Sequence, residues 1–308
     1  MTEVFDGTIR RVADRRPFIS LVTPSLNQGR FIRRTIDSVL SQQYPRLEYT
    51  VQDGGSTDET AAVLASFGRS LSFWSEPDLG QADAINRGLQ RASGEVFGFL
   101  NSDDVLLPGC LEAVGRAFAE HPEALCVFGA AQFIDADDAL IGPCPVWPDA
   151  FRQLDHCCAL TQPAMFFRRR VWDEVGPFDV RLHHALDYDY WFRIRARFGD
   201  SCAVFLDRPL AAARVHADAK TVAAWGRALS EIYSVVERHT GHLSVWWCLA
   251  RWDHLLDGRS QTTAPHRYRV RVVLAALAEF IVRNRITYWW PALRQAGGRR
   301  LKKAMAQP

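Results

Sequence analysis

The sequence predicts an α/β fold built on a parallel sheet. Two observations carry that expectation. Between Phe18 and Ala92, short apolar runs alternate three times with segments of helical spacing. Each run also stops at a turn-forming or polar residue, as strands do at the edge of an open sheet. Successive βα units imply parallel strands joined by right-handed crossovers.

The elements follow in order. Phe18 to Thr23 reads as a strand ended by Pro24, and Ser25 to Gly29 as a turn. Phe31, Ile32, Ile36, Val39 and Leu40 then fall at helical spacing. Leu47 to Gln52 is a second strand, broken at Asp53-Gly54-Gly55. Ser56 with Glu59 three residues on predicts a capping box for a helix over Thr57 to Phe67. Leu71 to Ser75 is a third strand and Gln81 to Ala92 a third helix, on which Asp83, Asn86 and Arg87 read as a solvated face. Val96 to Leu100 is short, β-branched and aromatic, and reads as a buried strand. Pro108 then opens a helix to His121, and Leu125 to Phe133 is a strand. Asp135 to Trp147 is a looser region rich in Pro and Gly. Ala164 to Phe167 is a strand, Arg169 to Val175 a helix stopped by Gly176-Pro177, and Asp187 to Phe198 a helix with an Asp189–Arg193 ion pair. Val204 to Leu206 and Ala211 to Val215 read as two further strands.

The chemistry concentrates at Asn101-Ser102-Asp103-Asp104, where the fourth strand ends. Open α/β sheets bind ligands at that edge. Adjacent carboxylates repel unless a cation or hydrogen-bond donors lie beside them. Oxygen ligands suit Mg²⁺ or Mn²⁺, which keep waters and bind substrate phosphates. One reading is therefore a divalent ion carrying a nucleotide diphosphate; the other is a solvated turn capping the next helix. No Gly-x-Gly-x-x-Gly and no Gly-Lys-Ser/Thr loop occurs, which favours a metal as the phosphate holder.

Composition sets bounds. The 308 residues suffice for one large α/β domain and an appendage, and 48% hydrophobic with 23% charged residues fits a globular protein. The net charge of +2 excludes little. Seven scattered cysteines without a Cys-x-x-Cys pair read as reduced thiols of a cytosolic protein. Residues 1–16 read as a polar tail without the apolar core of a signal peptide, and no apolar run reaches the roughly 18 residues of a membrane span.

In this order, Pro17 to Asn27, Asp53-Gly54-Gly55-Ser56-Thr57-Asp58, Ser75-Glu76-Pro77-Asp78, Gly94-Glu95, Asn101-Ser102-Asp103-Asp104 and Leu186 to Arg193 resemble the family 2 glycosyltransferases. The resemblance implies a GT-A fold over 17–220, a mixed Rossmann-like sheet flanked by helices, followed by a helical extension over 221–308. It implies inverting, metal-dependent transfer of a sugar from a nucleotide-sugar donor, with a UDP-sugar expected. By resemblance, Thr23, Pro24, Asp53, Asn101 and Ser102 bind the nucleotide. Asp103, with Asp104 beside it, holds Mn²⁺ or Mg²⁺. His216 stands where relatives place a histidine or loop closing over the diphosphate and is a candidate metal ligand, with a structural role as its plainer alternative. Asp187 is the implied catalytic base, in a position that would also suit a helix N-cap. Gln162 and His184 are candidate acceptor contacts whose plainer alternative is a loop position. The chain departs from the family pattern at Gly54, Asn101 and Leu186, each standing where an acid is common. These departures keep a non-catalytic nucleotide- or sugar-binding protein as the rival reading. A sugar nucleotidyltransferase is the other rival, and Pro24-Ser25-Leu26-Asn27 is not its Gly-rich loop.

The expected acceptor is a surface glycan or a lipid-linked saccharide. From Arg259 onward there are eleven Lys or Arg and one acid, Glu279. Over Val270 to Arg283, helical spacing places Val270, Val273, Leu274, Leu277, Phe280 and Ile281 on one face and Arg269, Arg271, Glu279 and Arg283 on the other. With Trp289-Trp290 nearby, 265–308 reads either as a peripheral contact with the inner face of an anionic cytoplasmic membrane or as a packing or subunit face. No nucleic-acid reading motif accompanies the basic stretch.

Overall fold

The computed structural model of the chain describes residues 16–255 and 265–284, so the expected tail before Arg16 and the Trp289-Trp290 segment lie outside the described residues. Contacts divide the chain into a first unit, 1–154 with 158–225, and a second, 155–157 with 226–308.

The first unit is organised by a sheet of nine strands, β1 (Ile19–Ser25), β2 (Leu47–Asp53), β3 (Ser72–Ser75), β4 (Val96–Phe99), β5 (Val105–Leu106), β6 (Cys126–Ile134), β7 (Leu140–Cys144), β8 (Met165–Arg168) and β9 (Ala203–Arg214). Their order is β3-β2-β1-β4-β8-β6-β9-β5, with β7 paired to β6. β1, β2, β3 and β4 are parallel, as the βα alternation predicts. The second half is mixed: β8 runs antiparallel to both β4 and β6, and β9 is parallel to β6. Two antiparallel steps restore the original direction, so β1, β4 and β9 all end at the same edge. The core includes Ile19, Leu21, Val51, Val96, Val127 and Phe166, all buried. Helices α1 (Gly29–Leu40), α2 (Thr60–Ser66), α3 (Gln81–Arg91) and α4 (Cys110–Glu120) follow the first four crossover strands; α5 (Ala150–Gln153), α6 (Arg169–Val175), α7 (Leu186–Phe198) and α8 (Lys220–Ala223) complete the unit.

Several expectations are corrected. The capping box is not formed: α2 starts at Thr60, the Ser56 hydroxyl is held by Asp53, and Asp58 Oδ1 accepts the Thr60 N–H at 2.9 Å. Pro108 does not open α4, because Gly109 in a left-handed conformation (φ 76°) precedes its first residue. The loose region contains β7, a hairpin partner of β6. The two strands expected over 204–215 are one, carrying an irregularity where Pro209, which has no N–H, faces Ala130. Asn86 is no solvated residue; its amide exchanges two 2.9 Å hydrogen bonds with the backbone of Phe178. None of the seven cysteines forms a disulfide.

The second unit contains α9 (Trp225–Thr240) from Gly226 onward, α10 (Val245–Leu255) and α11 (Pro265–Arg283). Tyr233 on α9 donates to the Trp247 carbonyl at 2.9 Å. On α11 the face turned inward carries Val272 and Ala276, at 6% and 0% exposure, and α10 packs against the helix. On the charged face, Glu279 pairs with Arg251 at 2.7 Å and Arg283 bridges Glu279 and Glu237, while Arg271 is exposed. The apolar face is exposed at Val273 (44%), Leu274 (62%), Leu277 (41%) and Ile281 (52%). The side chain of Val270 lies outside the described residues. No helix among the described residues is long and apolar enough to cross a membrane.

Candidate functional site

A cavity of about 500 Å³ opens at the shared edge of β1, β4 and β9. It is lined by Pro24 and Ser25 from the end of β1, Asn101 to Asp104 after β4, Gln162, His184, Leu186 and Asp187 before and at the start of α7, and Arg214 at the end of β9. The topology alone brings these together, because strand ends of one direction meet at one edge.

The turn after β4 is held from three sides. The Thr35 hydroxyl on α1 donates to the carbonyls of Ser102 (2.9 Å) and Asp104 (2.7 Å). Asp104 is 5% exposed; its Oδ1 accepts the Arg214 backbone N–H at 2.9 Å and its Oδ2 the Asn101 amide at 3.1 Å. Burial, with Asp103 beside it, pushes the Asp104 carboxyl well above the usual carboxylate range. Asn101 thus does what an acid there could not: its Nδ2 donates to Asp104, while its Oδ1 accepts from Gln81 at 2.7 Å. Gln81 in turn accepts from Lys220 at 2.8 Å.

Asp103 is the partly open carboxylate of the turn, with 21% of its side chain exposed and Oδ2 3.1 Å from His216 Nε2. The imidazole packs on the ring of Phe31 with centroids 4.6 Å apart, and its buried Nδ1 has no hydrogen-bond partner among the described residues. Arg214, fully buried, donates from Nε to the Asp103 carbonyl (2.7 Å) and from Nη1 to the Asp135 carbonyl (2.8 Å), and pairs with Asp138 (2.6 Å). Sequence reading missed this guanidinium, since its partners lie 76 to 111 positions away by the numbering.

Asp187, in the first turn of α7, accepts the Tyr188 N–H at 2.8 Å. Burial of its carboxyl pushes its pKa up to about 6. Asp189 is buried and pairs with Arg193 at 3.7 Å, as expected. Gln162 donates to the Phe99 carbonyl at 2.6 Å, and its buried Oε1 has no hydrogen-bond partner among the described residues.

Two expected nucleotide contacts are placed elsewhere. Thr23 is fully buried with its hydroxyl 3.0 Å from that of Tyr49, and Asp53 is fully buried in its own turn; neither lines the cavity. Asp78, Gln81 and Lys220 do line it. Asp78 stood within a segment that carried the family resemblance, yet no spacing rule marked it as facing a ligand.

A mixed sheet of this order, with the acidic turn at the end of β4 and helices on both sides, is a GT-A fold. Residues 20–171 match the description Glycosyl transferase family 2, and the unit they build belongs to that family. The chain is 29% identical over 192 residues to the hyaluronan synthase of Pasteurella multocida, an alignment covering 61% of this chain and 19% of that protein. The chain thus spans about a fifth of the length of the first curated relatives it matches. Among solved structures, S. aureus TarS 1–349 in complex with UDP-GlcNAc superposes with a TM-score of 0.57 at 16% identity, covering 86% of this chain and 81% of that one. The mannosyltransferase PcManGT from Pyrobaculum calidifontis, in complex with GDP-Man and Mn²⁺, gives 0.53 at 19% identity, covering 95% and 76%.

Proposed function

We propose that the chain is an inverting, metal-dependent glycosyltransferase that moves a sugar from a nucleotide-diphosphate sugar, a UDP-sugar in our reading, to a hydroxyl of a surface glycan or lipid-linked saccharide. The observation that carries this is one cavity lined by Asp103, the open carboxylate at the end of β4, and Asp187, a carboxyl with its pKa raised to about 6. A base with such a pKa is mostly ionised at neutral pH and still basic enough to take a proton in the transition state. Asp187 removes the acceptor hydroxyl proton as that oxygen attacks the anomeric carbon; the bond from that carbon to the diphosphate breaks, and the electron pair leaves with the diphosphate.

The residues fit a divalent ion. Asp103 and His216 place a carboxylate and an imidazole side by side, and the unpartnered Nδ1 leaves the ring's tautomer to be set by what Nε2 meets. Mn²⁺ or Mg²⁺ bound here would share its shell with phosphate oxygens and water. When bound, Mn²⁺ or Mg²⁺ stabilises the charge that develops on the departing diphosphate. The Mn²⁺ in the PcManGT complex and the nucleotide sugars in the neighbouring structures support the reading. Lys220 adds a positive charge on the cavity wall, and Gln162 and His184 are the acceptor contacts of this proposal.

The same reading makes this a cytoplasmic protein, peripheral on the inner face of the cytoplasmic membrane through 265–308. The exposed Val273, Leu274, Leu277 and Ile281 and the eleven basic residues after position 258 support it. An anionic bilayer meets both needs at once.

The test is a panel of UDP- and GDP-sugars with candidate acceptors, read by nucleoside diphosphate release in Mn²⁺ and in EDTA. Mn²⁺-dependent release that vanishes in Asp103→Ala is expected; full turnover in EDTA removes the metal from the assignment.

A further inference from the structure

Both oxygens of Asp53 are engaged within its own turn and by the neighbouring strand. Its Oδ2 accepts the Gly55 N–H (3.2 Å), the Ser56 N–H (3.0 Å) and the Ser75 hydroxyl (2.6 Å), and its Oδ1 the Ser56 hydroxyl (2.5 Å). Three donors crowd Oδ2 beyond its two lone pairs, and Oδ1 already holds one. Asp53 is also fully buried and off the cavity wall.

Asp78, three residues after the Ser75 that helps hold Asp53, is on that wall. Its Oδ1 accepts the Gly80 N–H at 2.8 Å. Its Oδ2 lies over Gly54, 2.7 Å from where a Cβ at that position would stand. No side chain at 54 could share that space without moving the carboxylate, so glycine there has a steric reason. Ser25 lines the same cavity; it is 5% exposed and its Oγ has no hydrogen-bond partner among the described residues. The sheet order sets Asp78 apart from the acidic turn: Asp78 follows β3, two strands beyond β1, whereas Asp103 follows β4 and His216 follows β9; Ser25 ends β1, between them and next to β4.

We propose that Asp78, in place of Asp53, is the carboxylate that recognises the nucleoside of the donor, with Ser25 Oγ as a second polar contact. This rests on the glycosyltransferase reading above. Oδ1 is held by Gly80 and Oδ2 carries no donor among the described residues, so the contact is made at Oδ2: with the N3–H of uracil or one ribose hydroxyl.

Calorimetry on the full chain in Mn²⁺ tests this with UDP, GDP, 3-methyl-UDP, 2′-deoxy-UDP and inorganic pyrophosphate. Asp78→Asn keeps an oxygen for Gly80 and turns an amide donor toward the nucleoside. It is expected to weaken UDP about tenfold or more, as for a hydrogen bond to a charged group, and to leave pyrophosphate within about twofold, which also reports an intact fold. If N3–H is the donor, 3-methyl-UDP binds wild type and variant alike; if a ribose hydroxyl is, 2′-deoxy-UDP does. Gly54→Val, which displaces the carboxylate, is expected to reproduce the selective loss. Unchanged UDP affinity in Asp78→Asn overturns the proposal, and so does an equal loss of UDP and pyrophosphate. A wild-type chain that binds no nucleoside diphosphate overturns the glycosyltransferase reading itself and the proposal with it.

Discussion

Arg214 holds the Asp103 backbone carbonyl at 2.7 Å with its Nε, while its own backbone N–H is held by Asp104 at 2.9 Å. The end of β9 and the acidic turn are thereby locked in both directions, and His216 is delivered two residues later beside Asp103. The planar guanidinium also reaches Asp135 and Asp138, a fork that lysine cannot reproduce. Arg214→Lys is expected to lower Mn²⁺-supported turnover about 10- to 100-fold, the usual scale for residues that orient metal ligands. A Mn²⁺ titration of nucleoside diphosphate release checks it: the half-saturating Mn²⁺ concentration rises if Arg214 positions Asp103, and stays put if it serves stability alone.

Asp187 makes pH a direct probe. Its carboxyl must be ionised to act as a base, and burial raises its pKa to about 6. The rate is therefore expected to fall about tenfold per unit below pH 6 and to level off above it. Asp187→Asn is expected to lose about 10²–10⁴-fold in kcat while nucleotide binding survives. Stability moves the opposite way. Between about pH 4 and 6 the unfolded chain ionises this carboxyl and the folded chain does not, so the folded state binds more protons and loses stability as pH rises. At pH 7 Asp187→Asn should therefore melt higher than wild type in a thermal scan, yet turn over far more slowly.

Gly88 sets how closely α3 lies on β1. A Cβ there would collide with the side chain of Val22, and both residues are buried. Overpacking of this kind costs about 1–3 kcal/mol, against a gain of up to about 1 kcal/mol from replacing a helical glycine by alanine. Gly88→Ala is expected to be destabilising on balance by about 1–2 kcal/mol in urea unfolding.

The exposed apolar stripe on α11 predicts membrane binding that depends on both lipid charge and salt. The full chain is expected to float with anionic vesicles at low salt, to bind neutral vesicles less, and to detach as salt screens the basic residues. Leu274→Glu with Leu277→Glu should abolish flotation without loss of donor hydrolysis, since both side chains are exposed. A full chain that stays at the bottom of the gradient in anionic lipid assigns the stripe to a subunit face.

The sequence by itself determined the βα alternation, the strand whose end carries Asn101 to Asp104, the Asp189–Arg193 pair and the family to which 20–171 belong. These are local: hydrophobic period, glycine and proline stops, and side chains one helical turn apart. Tertiary structure decided what each polar group has left to offer. Asp53 stands in a motif that resembles a nucleotide contact, and only the fold shows both its oxygens engaged by Gly55, Ser56 and Ser75. Asn101 breaks the acidic pattern, and only the fold shows its amide donating to Asp104. On α11 the period sets the apolar stripe opposite Glu279 and Arg283, but which side turns inward is settled by Arg251 and Glu237, which pair with those two residues. A hydrogen-bonding group can be spent once, and its partner is chosen by distance in space, which a chain written in one dimension does not record.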